Sequence, residues 1–174
     1  MQPLICDIPY PPTDNLTTDI RSGQIISFAY ATLRGELTAI LQYVYHSFHM
    51  ANFSKEDGEI LVSIALAEMK HLDILGECML KLGVNPRYVQ YPNSQNFYDT
   101  SCVAQSTTPA KMIMDDIAGE LNAIAEYNKM LFVLKNEDVS AIIQRIKMDE
   151  ELHLVALKQM LERYAPTPHG SGDC

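Results

Sequence analysis

The chain has 174 residues and a formal net charge of −9, and 47% of its residues are hydrophobic. This length and composition fit one globular domain with a sizeable core, and the acidic excess argues against binding nucleic acid through phosphate contacts. The sequence contains neither a signal-peptide pattern nor a run of about eighteen uncharged apolar residues, so we expect a cytoplasmic protein without a membrane partner. The four cysteines form no Cys-x-x-Cys pair, so other residue types would have to hold any metal.

The first half of the chain predicts an arm and two helices. Residues 1–19 include the run Ile8-Pro9-Tyr10-Pro11-Pro12, which excludes helix and predicts an extended N-terminal arm. Apolar residues then recur at three- and four-residue spacing from about residue 20 to Met50, and again from Ser54 to Gly83. This periodicity predicts two long amphipathic helices.

The second half predicts a crossover, two more helices and a tail. Residues 84–108 are polar and contain prolines, which is typical of an irregular connection. Pro109 opens a third helix that is predicted to end near Lys135, and a fourth is predicted from about Asp138 until Pro166 ends it. Residues 165–174 form a polar tail. The connection lengths predict an all-α four-helix bundle over residues 20–164, with the long crossover between the second and third helices.

The two predicted hairpins repeat one another. The segment GELTAILQY at 35–43 matches GELNAIAEY at 119–127 in six of nine positions. The second and fourth helices share the pattern Glu-x-x-His, at 68–71 and 150–153. A core built only for packing would exclude acids and imidazoles, so the repeated positions suggest a function.

Glu-x-x-His places both side chains on one face of a helix, because residues three apart differ by about 60° around the axis. Each hairpin therefore offers one ligand cluster. Four carboxylates in a bundle core would repel one another, whereas two divalent cations balance their charge. Mixed carboxylate and imidazole ligands favour iron or manganese over structural zinc or calcium. The candidate metal ligands are Glu36, Glu68, His71, Glu120, Glu150 and His153.

These motifs resemble the ferritin-like di-iron carboxylate superfamily, which includes bacterioferritin, rubrerythrin and manganese catalase. The resemblance covers about residues 20–164. It implies two iron ions, with manganese as the alternative. By this resemblance, one metal would bind Glu36 and His71, the other would bind Glu120 and His153, and Glu68 and Glu150 would bridge the two.

Several other residues near the motifs have less specific interpretations. Tyr43 and Tyr127 could hydrogen-bond to ligand carboxylates, supply an electron or simply pack in the core. Met69 stands where bacterioferritin has its haem-binding methionine, but Met is also a common core filler and haem is not expected.

Two aspartates and one histidine also lie close to the motifs in the sequence. Asp116 and Asp149 could each orient a ligand imidazole or cap a helix towards solvent. We expect His46 at the surface or at an interface.

The leading functional hypothesis is a di-iron oxidoreductase of peroxidase or ferroxidase type. It would reduce hydrogen peroxide or dioxygen with electrons from an unidentified donor. The alternatives are a ferroxidase that stores iron, a manganese catalase-like enzyme, and a structural ferritin-like protein of a larger assembly. Apolar residues at outer helix positions, such as Phe28, Tyr45 and Phe48, predict a homo-oligomer that is at least a dimer.

Overall fold

The computed structural model describes residues 1–164, which contain five α-helices and no strand beyond one isolated bridge. The helices are α1 (Ile20–Ile26), α2 (Glu36–Met50), α3 (Lys55–Lys81), α4 (Pro109–Val133) and α5 (Glu137–Glu162). α2 packs mainly along α3, and α4 packs mainly along α5, so the four long helices form the predicted bundle. The predicted polar tail, 165–174, lies outside the described residues. No helix within residues 1–164 is long and apolar enough to span a membrane.

Local sequence signals explain where the bundle helices begin and end. Ser54 precedes α3 and its hydroxyl accepts a hydrogen bond from the N–H of Asp57 at 3.2 Å. Asn136 caps α5 in the same way through the N–H of Val139. Gly83 follows α3 with a φ of +87°, a left-handed conformation that glycine adopts without a steric penalty.

The first predicted helix, from about residue 20 to Met50, is wrong as a single element. The chain leaves helical geometry after Ile26 and returns to it at Glu36, whose N–H donates to the carbonyl of Ala29 at 2.8 Å. Gly35 packs directly on this carbonyl, and a Cβ at Gly35 would lie 2.4 Å from the Ala29 oxygen. The apolar spacing continues through the break because it records which residues face the core, not whether the backbone hydrogen bonds continue.

The crossover, residues 82–108, runs along α2. Tyr88 stacks on Tyr30 just before α2, with ring centres 5.8 Å apart. Further along, the N–H of Ala104 donates to the side-chain oxygen of Gln42 at 2.9 Å. The crossover therefore follows α2 in the same direction and covers its outer side.

Two apolar layers lie at different heights in the bundle and leave a polar layer between them. Along α3, Leu61 and Ile64 belong to one layer, whereas Leu75 and Leu82 belong to the other. Glu68 and His71 lie between these pairs in the sequence, and α4 and α5 show the same succession. Apolar packing above and below limits the contact of the polar layer with water, so electrostatic interactions within it are strong.

Candidate metal centre

The bundle brings all six predicted metal ligands into the polar layer. α2 and α4 each contribute one glutamate, and α3 and α5 each contribute a glutamate and a histidine three residues later. Each of the six side chains is at most 4% exposed. Buried carboxylates are rare unless they are paired or bind a cation, so this layer needs an electrostatic explanation.

The six residues form two overlapping groups, and the ligand atoms within each group lie within 4.8 Å of one another. Both groups contain Glu68 and Glu150. The first group adds Glu36 and His71, and the second adds Glu120 and His153. Each group could hold one metal ion, and the two shared carboxylates would face both ions.

Both imidazoles direct Nδ1 towards these carboxylates. Nδ1 of His71 lies 3.1 Å from Glu150 and 3.2 Å from Glu68. Nδ1 of His153 lies 3.0 Å from Glu68 and 3.7 Å from Glu120. The inward direction of both nitrogens is what a pair of metal-binding histidines requires.

The outer nitrogens of the two imidazoles have acceptors of different kinds. Nε2 of His71 lies 3.1 Å from the carboxylate of Asp149, and Nε2 of His153 lies 2.8 Å from the backbone carbonyl of Leu4. When Nε2 carries the proton and donates it, Nδ1 keeps a lone pair for a cation. Asp149 therefore orients the candidate ligand His71, which is one of the two roles that the sequence suggested for it.

Several inward-facing atoms are buried without a hydrogen-bond partner in the part of the chain that the structure describes. They are Glu68 Oε1, Glu120 Oε2, Glu150 Oε1 and His153 Nδ1. The 3.0 Å approach of His153 Nδ1 to Glu68 lacks hydrogen-bond geometry. Leaving such atoms unsatisfied is costly, and cations between them would satisfy all four. The donor set therefore fits two divalent metal ions.

The pKa shifts show how the layer balances its charge when no cation is bound. Burial, with repulsion from neighbouring carboxylates, raises the pKa of Glu36 and Glu120 well above their usual range. Burial would lower the pKa of His71, but hydrogen bonds to carboxylates outweigh it and raise that pKa well above its usual range. Burial would also lower the pKa of His153, but the facing carboxylates of Glu120, Glu150 and Glu68 outweigh it and raise that pKa well above its usual range. Burial and the neighbouring charges therefore favour the protonated forms of these four groups in the metal-free protein.

Two buried tyrosines link the repeated halves crosswise. The hydroxyl of Tyr43 on α2 donates to Glu120 on α4, and the hydroxyl of Tyr127 on α4 donates to Glu36 on α2. Burial, followed by the nearby carboxylates, raises the pKa of both tyrosines well above the usual range, so both remain protonated donors. Contact with ligand carboxylates is one of the three interpretations that the sequence left open, and the sequence did not indicate that each tyrosine reaches the opposite repeat.

A second buried polar group lies one helical turn from Glu120. His46 is fully buried, so the expectation of a surface or interface histidine is wrong. Its Nδ1 lies 2.8 Å from Asp116, which also accepts a hydrogen bond from Gln42 at 2.9 Å. Asp116 therefore orients His46. It neither orients a candidate ligand imidazole nor caps a helix towards solvent, the two roles that the sequence suggested. Burial raises the pKa of Asp116 even though these two bonds oppose the shift.

A cavity of about 860 Å³ connects the surface with the polar layer between α2 and α4. Its wall includes Glu36, Glu120 and Asp116, together with Phe28 and Tyr91, which are 55% and 59% exposed. A small molecule could therefore approach the candidate ligands from this side. Met69, the candidate haem ligand, is 43% exposed on α3 and lies outside both ligand groups.

The fold and this cluster define a four-helix bundle protein whose centre could hold two metal ions. The sequence profile of the ferritin-like domain matches residues 30–165, and the chain belongs to this family. The superfamily expected from the repeated motifs is therefore confirmed. A comparison with curated protein sequences gives no match.

Solved structures share the fold at low sequence identity. A manganese catalase from Anabaena superposes with a TM-score of 0.82 at 19% identity, covering 97% of this chain and 84% of that chain. Bacterioferritin from Rhodobacter capsulatus superposes with a TM-score of 0.70 at 23% identity, covering 85% and 88% of the two chains. Bacterioferritin from Mycobacterium tuberculosis gives 0.68 at 22% identity, with 84% and 87% covered.

Proposed function

We propose that the protein is a dimetal oxidoreductase that uses hydrogen peroxide or dioxygen as its oxidant. The observation that carries this proposal is the pair of overlapping ligand groups, which share two carboxylates at the inner end of a cavity. Carboxylate and imidazole ligands in this ratio suit iron or manganese. A pair of such ions, each able to change its charge by one, would supply the two electrons that a peroxide bond requires.

The residues have separate tasks in this proposal. Glu36 and His71 would bind one metal, and Glu120 and His153 would bind the other. Glu68 and Glu150, which belong to both ligand groups, would bind both metals. Tyr43 and Tyr127 hold the two unshared glutamates and carry hydroxyl protons next to the cluster. The apolar layers exclude bulk water, and the cavity between α2 and α4 admits the oxidant.

The leading form of the proposal uses two iron ions and an external donor. Reduction of one hydrogen peroxide molecule to two water molecules consumes two electrons and two protons, so a donor must return two electrons in each cycle. Removing Glu150 should abolish metal loading and peroxide turnover, because its carboxylate belongs to both ligand groups. The neighbouring Glu151 is exposed and pairs with Lys147, so Glu151→Ala is a matched control for Glu150→Ala.

A second candidate is a manganese enzyme that converts two hydrogen peroxide molecules into dioxygen and two water molecules without an external donor. The extent of the structural match favours it. The superposition on the manganese catalase covers 97% of the 174 residues, leaving out about five, so it includes most of the N-terminal arm. The superposition on the Rhodobacter capsulatus bacterioferritin covers 85% and leaves out about 26 residues.

Elemental analysis of protein purified without added metal, combined with an oxygen electrode, distinguishes these candidates. About two iron per chain with donor-dependent peroxide consumption supports the first. About two manganese per chain with dioxygen release supports the second. Less than one metal per chain after reconstitution with Fe²⁺ or Mn²⁺ would contradict both.

We also propose that the protein forms a homo-oligomer that is at least a dimer. Phe28 and Phe48 are 55% and 71% exposed, and a second copy of the chain could cover these apolar side chains. Light scattering of the wild type and of Phe48→Ser tests this proposal. A monomeric wild type would contradict it.

A further inference from the structure

The outer nitrogens of the candidate histidine ligands are held by groups that depend on the N-terminal arm, residues 1–19. The carbonyl of Leu4 accepts the hydrogen bond from His153 Nε2 at 2.8 Å. The N–H of Leu4 donates to the carbonyl of Ser63 on α3 at 2.9 Å. Leu4 is therefore fixed between α3 and the histidine of α5.

The arm reaches the other histidine through Asp149. One carboxylate oxygen of Asp149 faces His71 Nε2 at 3.1 Å and also accepts a hydrogen bond from the hydroxyl of Tyr10. The other oxygen accepts a hydrogen bond from the backbone N–H of Cys6 at 2.7 Å. The arm thus supplies two of the donors that keep this buried carboxylate directed at His71.

Arg145, one turn before Asp149 on α5, fastens the arm to the bundle. Its Nε donates to the carbonyl of Ile8 at 2.7 Å, and its Nη2 donates to the carbonyl of Cys6 at 2.8 Å. Its guanidinium carbon lies 4.3 Å from the centre of the Tyr10 ring. Nη1 lies 2.7 Å from Asp149, so one buried guanidinium joins the arm and the carboxylate in a single unit.

We infer that residues 4–10 of the arm are a positioning element for the metal centre, an inference that rests on the proposed function. Leu4 acts through His153, and Tyr10 acts through Asp149 and His71. Holding Nε2 of each ring fixes the tautomer and the ring orientation that leave Nδ1 free to bind metal. Loss of such partners typically lowers metal affinity about 10- to 100-fold.

The position of the arm agrees with this role. The arm contacts α3 and α5, whereas the cavity opens between α2 and α4 and has no arm residue in its wall. The arm therefore supports the histidines from one side of the bundle and leaves the other side open to the oxidant.

Two pairs of variants test the inference. Tyr10→Phe removes the hydroxyl that donates to Asp149 but keeps the ring against Arg145. Thr13→Ala is its control, because Thr13 is an arm residue whose hydroxyl bonds to Glu77 at the surface. Deletion of residues 2–7 removes the Leu4 carbonyl, and deletion of the exposed residues 2–3 is its control.

Each protein is stripped of metal, checked for helical content by circular dichroism, and titrated with Mn²⁺ while electron paramagnetic resonance follows the free ion. We expect the Mn²⁺ Kd to rise about tenfold in Tyr10→Phe and about 100-fold in the 2–7 deletion, with both controls unchanged. The absorption spectrum of bound Co²⁺ should change in the same two variants. A general loss of stability would leave that spectrum as it is in the wild type.

Wild-type Mn²⁺ affinity and an unaltered Co²⁺ spectrum in Tyr10→Phe and in the deletion would overturn the inference. If the deletion does not fold, a double-mutant cycle decides. Tyr10→Phe should then have no further effect on Kd in an Asp149→Ala background, and an undiminished effect there would refute the pathway through Asp149. Failure of the wild type to bind metal would overturn the proposed function itself, which is a distinct result.

Discussion

Metal loading should release about four protons per chain. In the metal-free protein we expect protons on Glu36, Glu120, His71 and His153, whose pKa values are all raised. Two neutral glutamic acids, two glutamates and two imidazolium ions sum to zero charge. Two divalent ions with four glutamates and two neutral imidazoles also sum to zero, so loading exchanges four protons for two cations.

The exchange fixes the pH dependence of affinity. Release of about four protons makes the overall constant for binding two metals rise about 10⁴-fold per pH unit. The apparent Kd per metal should therefore fall about 100-fold between pH 6 and pH 7. The dependence becomes steeper at low pH, where Glu68 and Glu150 also take up protons that the metals must displace. It disappears at high pH, where the metal-free protein has already lost the protons of the groups with raised pKa values.

Isothermal titration calorimetry with Mn²⁺, in buffers of different ionisation enthalpy, counts these protons. Glu36→Gln should lower the count by about one, because the amide keeps the shape of the side chain but does not titrate in this range. Glu151→Gln, at the exposed neighbour of Glu150, should leave the count unchanged. Release of fewer than two protons by the wild type would refute the charge balance.

Further predictions concern stability and ligand support. The metal-free protein should lose stability above pH 4.5, the usual glutamate pKa, because raised pKa values favour folding only while the folded state holds the protons. Urea unfolding in EDTA should show a fall of about 1.4 kcal/mol per pH unit for each such proton, and a flat profile would contradict this. Gly35→Ala should cost about 1–3 kcal/mol in the same assay, because its Cβ would meet the Ala29 backbone, and an unchanged midpoint would refute that packing. Tyr127→Phe should raise the Mn²⁺ Kd about tenfold by removing the donor to Glu36, and wild-type affinity would show that this bond is dispensable. Calorimetry of the wild type should resolve two unequal Mn²⁺ affinities, since a carboxylate backs His71 and a carbonyl backs His153, and equal affinities would count against this difference.

The sequence predicted that the six candidate ligands lie close together, because helical spacing controls their geometry. Glu68 and His71 lie three residues apart, so any helix through them puts both on one face. The repeat then identified the matching pair on α5, and the apolar residues around both pairs indicated burial. The all-α class followed from the same periodicity.

Other features depend on contacts between distant parts of the chain. Leu4 supports His153 with a backbone carbonyl, a group that every residue has, so no side-chain pattern could indicate it. Burial of His46 depends on Asp116, 70 residues later, and on the position of α4. The break before α2 follows from the close packing of Gly35 on a preceding carbonyl, which the apolar spacing does not record.

The two halves of the centre differ in the group that lies behind each histidine. Duplication of one hairpin supplies each half with a glutamate and a Glu-x-x-His pair, but the N-terminal arm occurs once. Asp149 on α5 places a carboxylate behind His71, whereas the corresponding position on α3 is Ala67, and the arm supplies only the neutral Leu4 carbonyl behind His153. A carboxylate partner makes an imidazole a stronger donor to a metal than a carbonyl does. Arg145 offsets part of this charge, yet the hydrogen bond still joins His71 to a carboxylate. The repeat therefore supplies matching ligands, and the two metal positions become unequal because Asp149 has no counterpart on α3 and the arm carbonyl takes that place.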